Sequence, residues 1–129
     1  MPGAGVGVRK CGRVCALGVC AMIRLTVIPR EGTQLYNLLS AKEVALRKKR
    51  QGTLHRAGTR RGGTERWKHV AYSGRLTLQR CIGGTLAAIV ESSAPQEEWQ
   101  LLTSFVGFLD RHFRDHIASI TICYDRQDG

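Results

Sequence analysis

The sequence predicts a two-layer α+β domain in which two helices cover one face of an antiparallel sheet. Stretches of alternating or β-branched residues indicate strands, and two segments with apolar residues three and four positions apart indicate helices. Along the chain these segments follow the order β-α-β-β-α-β. The chain has 129 residues, 43% of them hydrophobic, which suits a single domain with its own core.

The first 21 residues are expected to form a disordered extension rich in Gly, Ala and Val. Basic residues followed by an apolar run over 14–23 loosely imitate a signal peptide, but the run is too short to cross a membrane as a helix. A strand is predicted over 22–28, because the stretch is rich in β-branched residues and ends at Pro29, which cannot continue a strand ladder. The folded domain is therefore expected to span residues 22–125, with a frayed tail over 126–129.

The first helix is predicted to begin near Thr33 and to end before Gly52, since leucines recur between them at helical spacing. The segment Ser40-Ala41-Lys42-Glu43 also matches a capping box, so the helix could begin there instead. Residues 51–66 have no apolar period and contain four glycines. They are predicted to form an exposed, flexible loop.

Two strands are predicted next, with a turn between them. The stretch 67–72 is strand-like and breaks at Ser73-Gly74, after which 75–81 alternates strictly between polar and apolar residues. A short Gly-Gly connection leads into the strand at 85–91, and this hairpin is the strongest local structural signal in the chain.

The second helix is predicted to follow Ser93 as its N-cap, with Pro95, Glu97 and Glu98 in the first turn. An apolar stripe then predicts the buried face, and it places Trp99 in the core. The stripe consists of Trp99, Leu102, Phe105, Val106, Leu109 and Phe113. A closing strand over 117–124 has Ile120, Ile122 and Tyr124 on one face.

This order of elements is typical of the ferredoxin-like split βαβ arrangement, a four-stranded antiparallel sheet with two helices on one face. Right-handed crossovers would place the strand at 23–28 beside the strand at 85–91. Ferredoxin-like sheets include RNA-recognition modules that stack bases on aromatic residues, but neither 23–28 nor 84–90 contains an aromatic residue. The fold alone therefore does not assign a function.

Charge is the most informative functional feature. The net charge is +10, and residues 42–68 alone carry ten basic and two acidic residues. A charge excess concentrated in this way favours binding of a polyanion through the segment 47–68, and the Arg60-Arg61-Gly62-Gly63 run favours RNA over DNA. Trp67 and Tyr72 could provide stacking faces, with His55 nearby. The predicted nucleic-acid-binding residues are Lys48, Lys49, Arg50, Arg56, Arg60, Arg61, Arg66, Trp67 and Lys68.

Two alternatives remain open at this stage. The charged loop could serve only solubility, or the protein could be an interaction or homodimerisation module whose basic loop binds a protein partner. An uncovered sheet face is often buried by dimerisation, which favours the second alternative. Binding to a membrane is not expected.

Catalysis is not predicted, and no cofactor is expected. His112 and His116 have a metal-binding spacing, with Asp110 and Asp115 beside them, but no third ligand is evident and neighbouring arginines would repel a cation. Cys81 follows Arg80, yet no spacing identifies a base for it. No nucleotide-binding or hydrolase motif is present. Five cysteines, an odd number, favour reduced thiols and a cytoplasmic location.

Overall fold

The computed structural model describes residues 21–59 and 61–126, with side chains over 22–59 and 61–124. Predictions for residues 1–20 and 127–129 lie outside this range. The strands are β1 (Ala21–Pro29), β2 (Leu54–Arg56), β3 (Thr64–His69), β4 (Arg75–Arg80), β5 (Leu86–Ser92) and β6 (Ile117–Arg126). The helices are α1 (Leu35–Lys48) and α2 (Pro95–Phe113), and short 3₁₀ turns span Ile82–Gly84 and Arg114–His116.

The α+β class is confirmed, but the four-stranded ferredoxin-like order is not matched. One six-stranded antiparallel sheet has the order β2-β3-β4-β5-β1-β6. The predicted loop over 51–66 is wrong in part, because it supplies β2 and the start of β3. The neighbouring placement of the strands at 23–28 and 85–91 is confirmed, since Ile23 pairs with Val90 and Leu25 with Ala88.

A single core joins both helices to one face of the sheet. Alternate residues of β1, such as Leu25 and Val27, pack with α1 and α2. The residues between them point to the opposite face, as the twofold side-chain period of a strand requires. The first helix begins at Leu35, so the alternative start at Ser40 is wrong, and Ser40 instead lies inside the helix and is buried.

The second helix differs from the sequence prediction at its start and along its buried stripe. Ala94 occupies the N-cap position without a side-chain cap, so the assignment of Ser93 is wrong. Trp99 is 54% exposed, whereas Glu98, Leu101 and Phe108 are buried. The buried stripe is therefore rotated toward the side of the helix that carries residue 98, which leaves Trp99 at its edge.

Adjacent carboxylates in the first turn of α2 predict opposite effects of pH on stability. Glu98 is buried, its Oε2 has no hydrogen-bond partner among the described residues, and burial raises its pKa. A raised pKa means that folding disfavours the charged form of the carboxyl, so at neutral pH the charged form lowers the stability of the fold. This loss of stability disappears once the pH falls below the pKa that Glu98 has in the unfolded chain. Glu98→Gln should therefore raise the free energy of unfolding at pH 7, by about 1 kcal/mol.

Glu97 provides the matched control. The backbone N–H of Ser73 donates a hydrogen bond of 2.6 Å to Glu97 Oε1 and lowers the pKa of that carboxyl. Its stabilisation is present above the pKa of the unfolded chain and is lost as the pH falls through the folded-state pKa. Glu97→Gln should therefore destabilise the protein at pH 7 and have little effect in acid. Urea unfolding between pH 3 and 7 tests both variants, and shifts of the same sign at pH 7 would contradict the assignment.

Candidate functional site

The basic segment of the sequence folds into the C-terminal end of α1 and the β2–β3 hairpin. Lys48 ends α1, and the other cations follow in the connection to β2, in the hairpin turn and along β3. Arg60 lies outside the described residues. We define the basic surface as Lys48, Lys49, Arg50, Arg56, Arg61, Arg66 and Lys68; Arg56 is half-buried and the other six are exposed.

The end of α1 places a cation where glycine is usually found. Arg50 has a φ of 58°, in the left-handed region. Its N–H donates to the carbonyl of Arg47 at 3.0 Å, and the N–H of Gln51 donates to the carbonyl of Leu46 at 2.9 Å. This is the hydrogen-bonding pattern of a Schellman motif, in which glycine commonly occupies the position of Arg50. A left-handed conformation costs about 1–2 kcal/mol at a non-glycine residue.

Strand β3 separates its charged residues from its buried ones by strict alternation. Glu65 and Trp67 are buried, whereas Arg66 and Lys68 are exposed on the opposite face, which the helices do not cover. Side chains two residues apart on a strand are spaced by about 6.8 Å, so the two cations form a row along the strand. Arg66 lies opposite Thr77 of β4, which adds a hydroxyl group to the same face.

Both carboxylates of the 42–68 window are withdrawn from the surface. Glu65 accepts hydrogen bonds from Ser40 Oγ at 2.6 Å and from Trp67 Nε1 at 2.9 Å. Glu43 lies on α1, is buried, and its Oε2 is 3.2 Å from both Arg47 Nε and His55 Nδ1. Within residues 21–59 and 61–124, none of the cations of the basic surface forms an ion pair. The basic surface therefore retains its positive charge.

The proposed stacking role of Trp67 is wrong. Its side chain is 0% exposed and contacts Phe105 and Phe108 edge to face, with ring centroids 6.4 and 5.4 Å apart. Trp67 sits on the core face of β3, so a base could reach it only if the core opened. The ring of Tyr72 is partly exposed and packs on His69 at 4.4 Å. His55 packs against Glu43 and the Gly52 carbonyl.

The histidine pair considered as a metal site does not share a helical face. Helix α2 ends at Phe113, and His116 belongs to the following 3₁₀ turn. The ring of His112 packs on that of Phe108, with the ring centroids 4.9 Å apart. The pKa of His112 is lowered, chiefly by desolvation and further by the positive charges of Lys42 and Arg111. Across the described residues, no three potential ligands among His, Cys, Asp and Glu come together. Cys81 is an exposed thiol beside the 3₁₀ turn at 82–84.

Sequence reasoning missed an apolar groove between α2 and β6. It has a volume of about 720 Å³ and is lined by Trp99, Val106, Ile120, Ile122 and Tyr124, among other residues. The predicted face of the closing strand is confirmed, because Ile120, Ile122 and Tyr124 pair with Val27, Leu25 and Ile23 of the core face. The sequence did not indicate that α2 leaves part of these three side chains uncovered.

No helix in the described ranges has both the length and the apolar character needed to cross a membrane. Comparison with known proteins gave no matching family model, no similar curated protein and no similar solved structure.

Proposed function

We propose that this chain is a non-catalytic nucleic-acid-binding protein that contacts phosphate groups through the basic surface, with RNA preferred over DNA. The observation that carries the proposal is the burial of Glu43 and Glu65, which leaves the cations of the basic surface without carboxylate partners among the described residues. Exposed Lys and Arg side chains without carboxylate partners attract phosphates and release counterions when they bind them.

Arg50 supports a functional role for these cations. Glycine at this position would relieve the left-handed strain, so arginine is not the residue that helix stability favours. Backbone strain that stability alone does not explain is found most often at functional sites. A phosphate contact would account for a charged side chain there.

Contacts to phosphate, rather than to base edges, are the expected mode of binding. The residues of β3 and β4 that point away from the core are polar or charged, including Arg66, Lys68 and Thr77. Trp67 is buried and unavailable for stacking, so we do not expect the base stacking that RNA-recognition sheets use. In the hairpin turn at Arg61-Gly62-Gly63, Gly62 is exposed and a Cβ atom added there would have no neighbour within 4 Å, so a nucleic-acid backbone can approach the turn closely at this residue. This route predicts weak dependence on base sequence.

Salt-dependent binding to a fluorescent single-stranded RNA tests the proposal. For single strands, the slope of log K against log salt concentration changes by about 0.7 per phosphate contact. Arg66→Gln/Lys68→Gln should therefore reduce the slope by about 1.4 and weaken binding to different sequences equally. The matched control is Arg30→Gln/Arg111→Gln, which removes two exposed cations outside the basic surface and should leave the slope nearly unchanged.

Arg50→Gly separates binding from stability. Glycine should raise the free energy of unfolding by about 1 kcal/mol because it relieves the left-handed conformation. The same substitution should weaken RNA binding and reduce the salt slope by about 0.7. Equal slopes in the basic-surface and control variants would remove this surface from the proposal, and undetectable RNA binding at low salt would overturn it.

A further inference from the structure

Strand β6 is an exposed sheet edge. Across the described part of the chain it pairs with β1 alone, and β2 lies at the other edge. It runs for ten residues, from Ile117 to Arg126, much longer than the three-residue edge strand β2. An edge strand exposes unpaired backbone N–H and C=O groups, and native proteins usually shorten, charge or cover such edges.

The edge is also apolar on the side that carries the helices. Ile122 is 36% exposed and Tyr124 is 59% exposed, and both line the groove opposite Trp99. The stretch 119–124 contains neither a charged residue nor proline, and the one irregularity of the edge is a bulge at Ala118, near the start of the strand. Gly107 of α2 also lines the groove, and a Cβ atom added there would have no neighbour within 4 Å. A second surface can therefore approach this part of α2 closely.

We propose that β6 pairs with β6 of a second copy of this chain, antiparallel and about a twofold axis perpendicular to the sheet. Such an axis keeps both sets of helices on the same side, so the two grooves meet across the seam. The pairing would continue the antiparallel sheet from six to twelve strands and would satisfy the backbone groups of both edges.

The sequence of β6 is self-complementary for this arrangement. With Ile122 on the axis, it faces Ile122 of the partner subunit, and Ile120 faces Tyr124 of the partner subunit. In this register the apolar side chains of both copies lie on the same face of the sheet. A register shifted by two residues would keep them there, whereas a shift by one residue would turn one set to the opposite face. Cross-strand pairs of aromatic and β-branched residues are among the favourable pairs in sheets.

The ends of the groove complement each other under the same symmetry. Trp99 and Tyr124 line one end, and Asp110, Arg114 and Ile117 line the other. The twofold axis brings the aromatic end of one copy toward the Arg114 end of its partner. There the exposed Arg114 guanidinium, which is paired with Asp110 of its own chain at 2.8 Å, is a cation that an indole ring can contact.

The exposed aromatic side chains alone do not provide the area that a stable dimer needs. A specific interface buries about 800 Å² on each partner. Two half-exposed aromatic side chains provide roughly 200 Å² of this on each copy, and the ten-residue edge and the flank of α2 have to provide the rest. We therefore expect a concentration-dependent equilibrium between monomer and dimer.

Light scattering and sedimentation of the full chain, after nuclease treatment and in high salt, test the inference. The expected result is a mass that rises toward twice 14.3 kDa as the concentration increases from about 1 µM to about 1 mM. Ile122→Lys and Tyr124→Lys should each weaken dimerisation at least tenfold, because a lysine on an edge opposes strand pairing. Ile82→Lys is the matched control, since Ile82 is an exposed apolar residue in the turn between β4 and β5, and β1 separates both of these strands from β6.

Cross-linking locates the interface. In a variant with Cys11, Cys15, Cys20 and Cys81 replaced by serine, Cys123 is the remaining thiol. With Ile122 on the axis, Cys123 lies diagonally from Cys123 of the partner subunit, at a spacing of about 7–8 Å and with the Cβ atoms somewhat closer. A short bis-maleimide should link the two copies in this variant and fail to do so when Tyr124→Lys is added.

Several outcomes would overturn the inference. These are a folded monomer at every concentration, a dimer that persists in both lysine variants, and dimerisation that appears only after residues 1–20 are removed. The third would mean that the N-terminal segment covers the groove. The Arg66→Gln/Lys68→Gln variant should dimerise normally. The test of dimerisation is therefore independent of whether the protein binds RNA.

Discussion

Trp67→Ala is expected to lower the free energy of unfolding by about 3–5 kcal/mol. The side chain is fully buried on β3 and contacts Phe105 and Phe108 of α2, so its removal leaves a cavity where the sheet meets the helix. Its indole N–H also donates to Glu65 Oε1, and without it a buried carboxylate loses a hydrogen bond. Urea unfolding followed by circular dichroism measures the loss.

Two further variants keep this prediction informative if the alanine variant does not fold. Trp67→Phe retains most of the apolar volume but removes the donor to Glu65, so it should cost about 1–3 kcal/mol. Trp99→Ala removes a tryptophan that is 54% exposed and should change stability by only about 0.5 kcal/mol. Equal destabilisation by Trp67→Phe and Trp99→Ala would contradict the buried position of Trp67.

The sequence indicated the strands that bury alternate residues along their length. Strands β4 and β5 alternate clearly, and Pro29 marks the end of β1, so these elements were predicted closely. Strand β2 has only three residues, of which Leu54 alone is buried. A pattern needs several periods before it can be recognised. Pairing with β3 and contact with α1 hold β2 in place, and neither is visible in local sequence.

The two tryptophans show a second limit of prediction from the sequence. Helical spacing identified an apolar stripe on α2 but did not fix its edges, because these depend on where the helix lies over the sheet. Leu101 and Phe108 face the core, while Trp99 faces the groove above β6. Trp67 follows a Gly- and Arg-rich stretch and so suggested an exposed site, whereas alternation along β3 places it inside.

The charge distribution could be predicted only in part. Counting charges located the excess in residues 42–68, but counting cannot tell which groups remain at the surface. Glu43 is held by Arg47, one turn further along α1, and by His55 of β2. Glu65 is held by Trp67 of the same strand and by Ser40 of α1. Because both carboxylates are buried, the exposed residues of this segment carry a greater excess of positive charge than a count over the sequence suggests.

Gly84→Ala is expected to lower the free energy of unfolding by about 3 kcal/mol or more, the second large effect predicted for this protein. Gly84 has a φ of +80°, and an added Cβ would lie 2.5 Å from the carbonyl oxygen of Thr33. That oxygen belongs to the backbone between β1 and α1, so it cannot move aside as the end of a flexible side chain could. The substitution therefore combines left-handed strain with a steric overlap that pushes the 82–84 turn away from the start of α1.

Gly83→Ala isolates the strain from the overlap. Gly83 has a φ of +77°, nearly the same as its neighbour, but an added Cβ would have no atom within 4 Å. In this variant the free energy of unfolding should fall only by the cost of the left-handed conformation, about 1–2 kcal/mol. The difference between the two unfolding free energies, measured in urea under the same conditions, therefore reports the contact with Thr33. Equal losses would mean that the turn shifts freely, and that the contact between this turn and the β1–α1 connection does not constrain the fold.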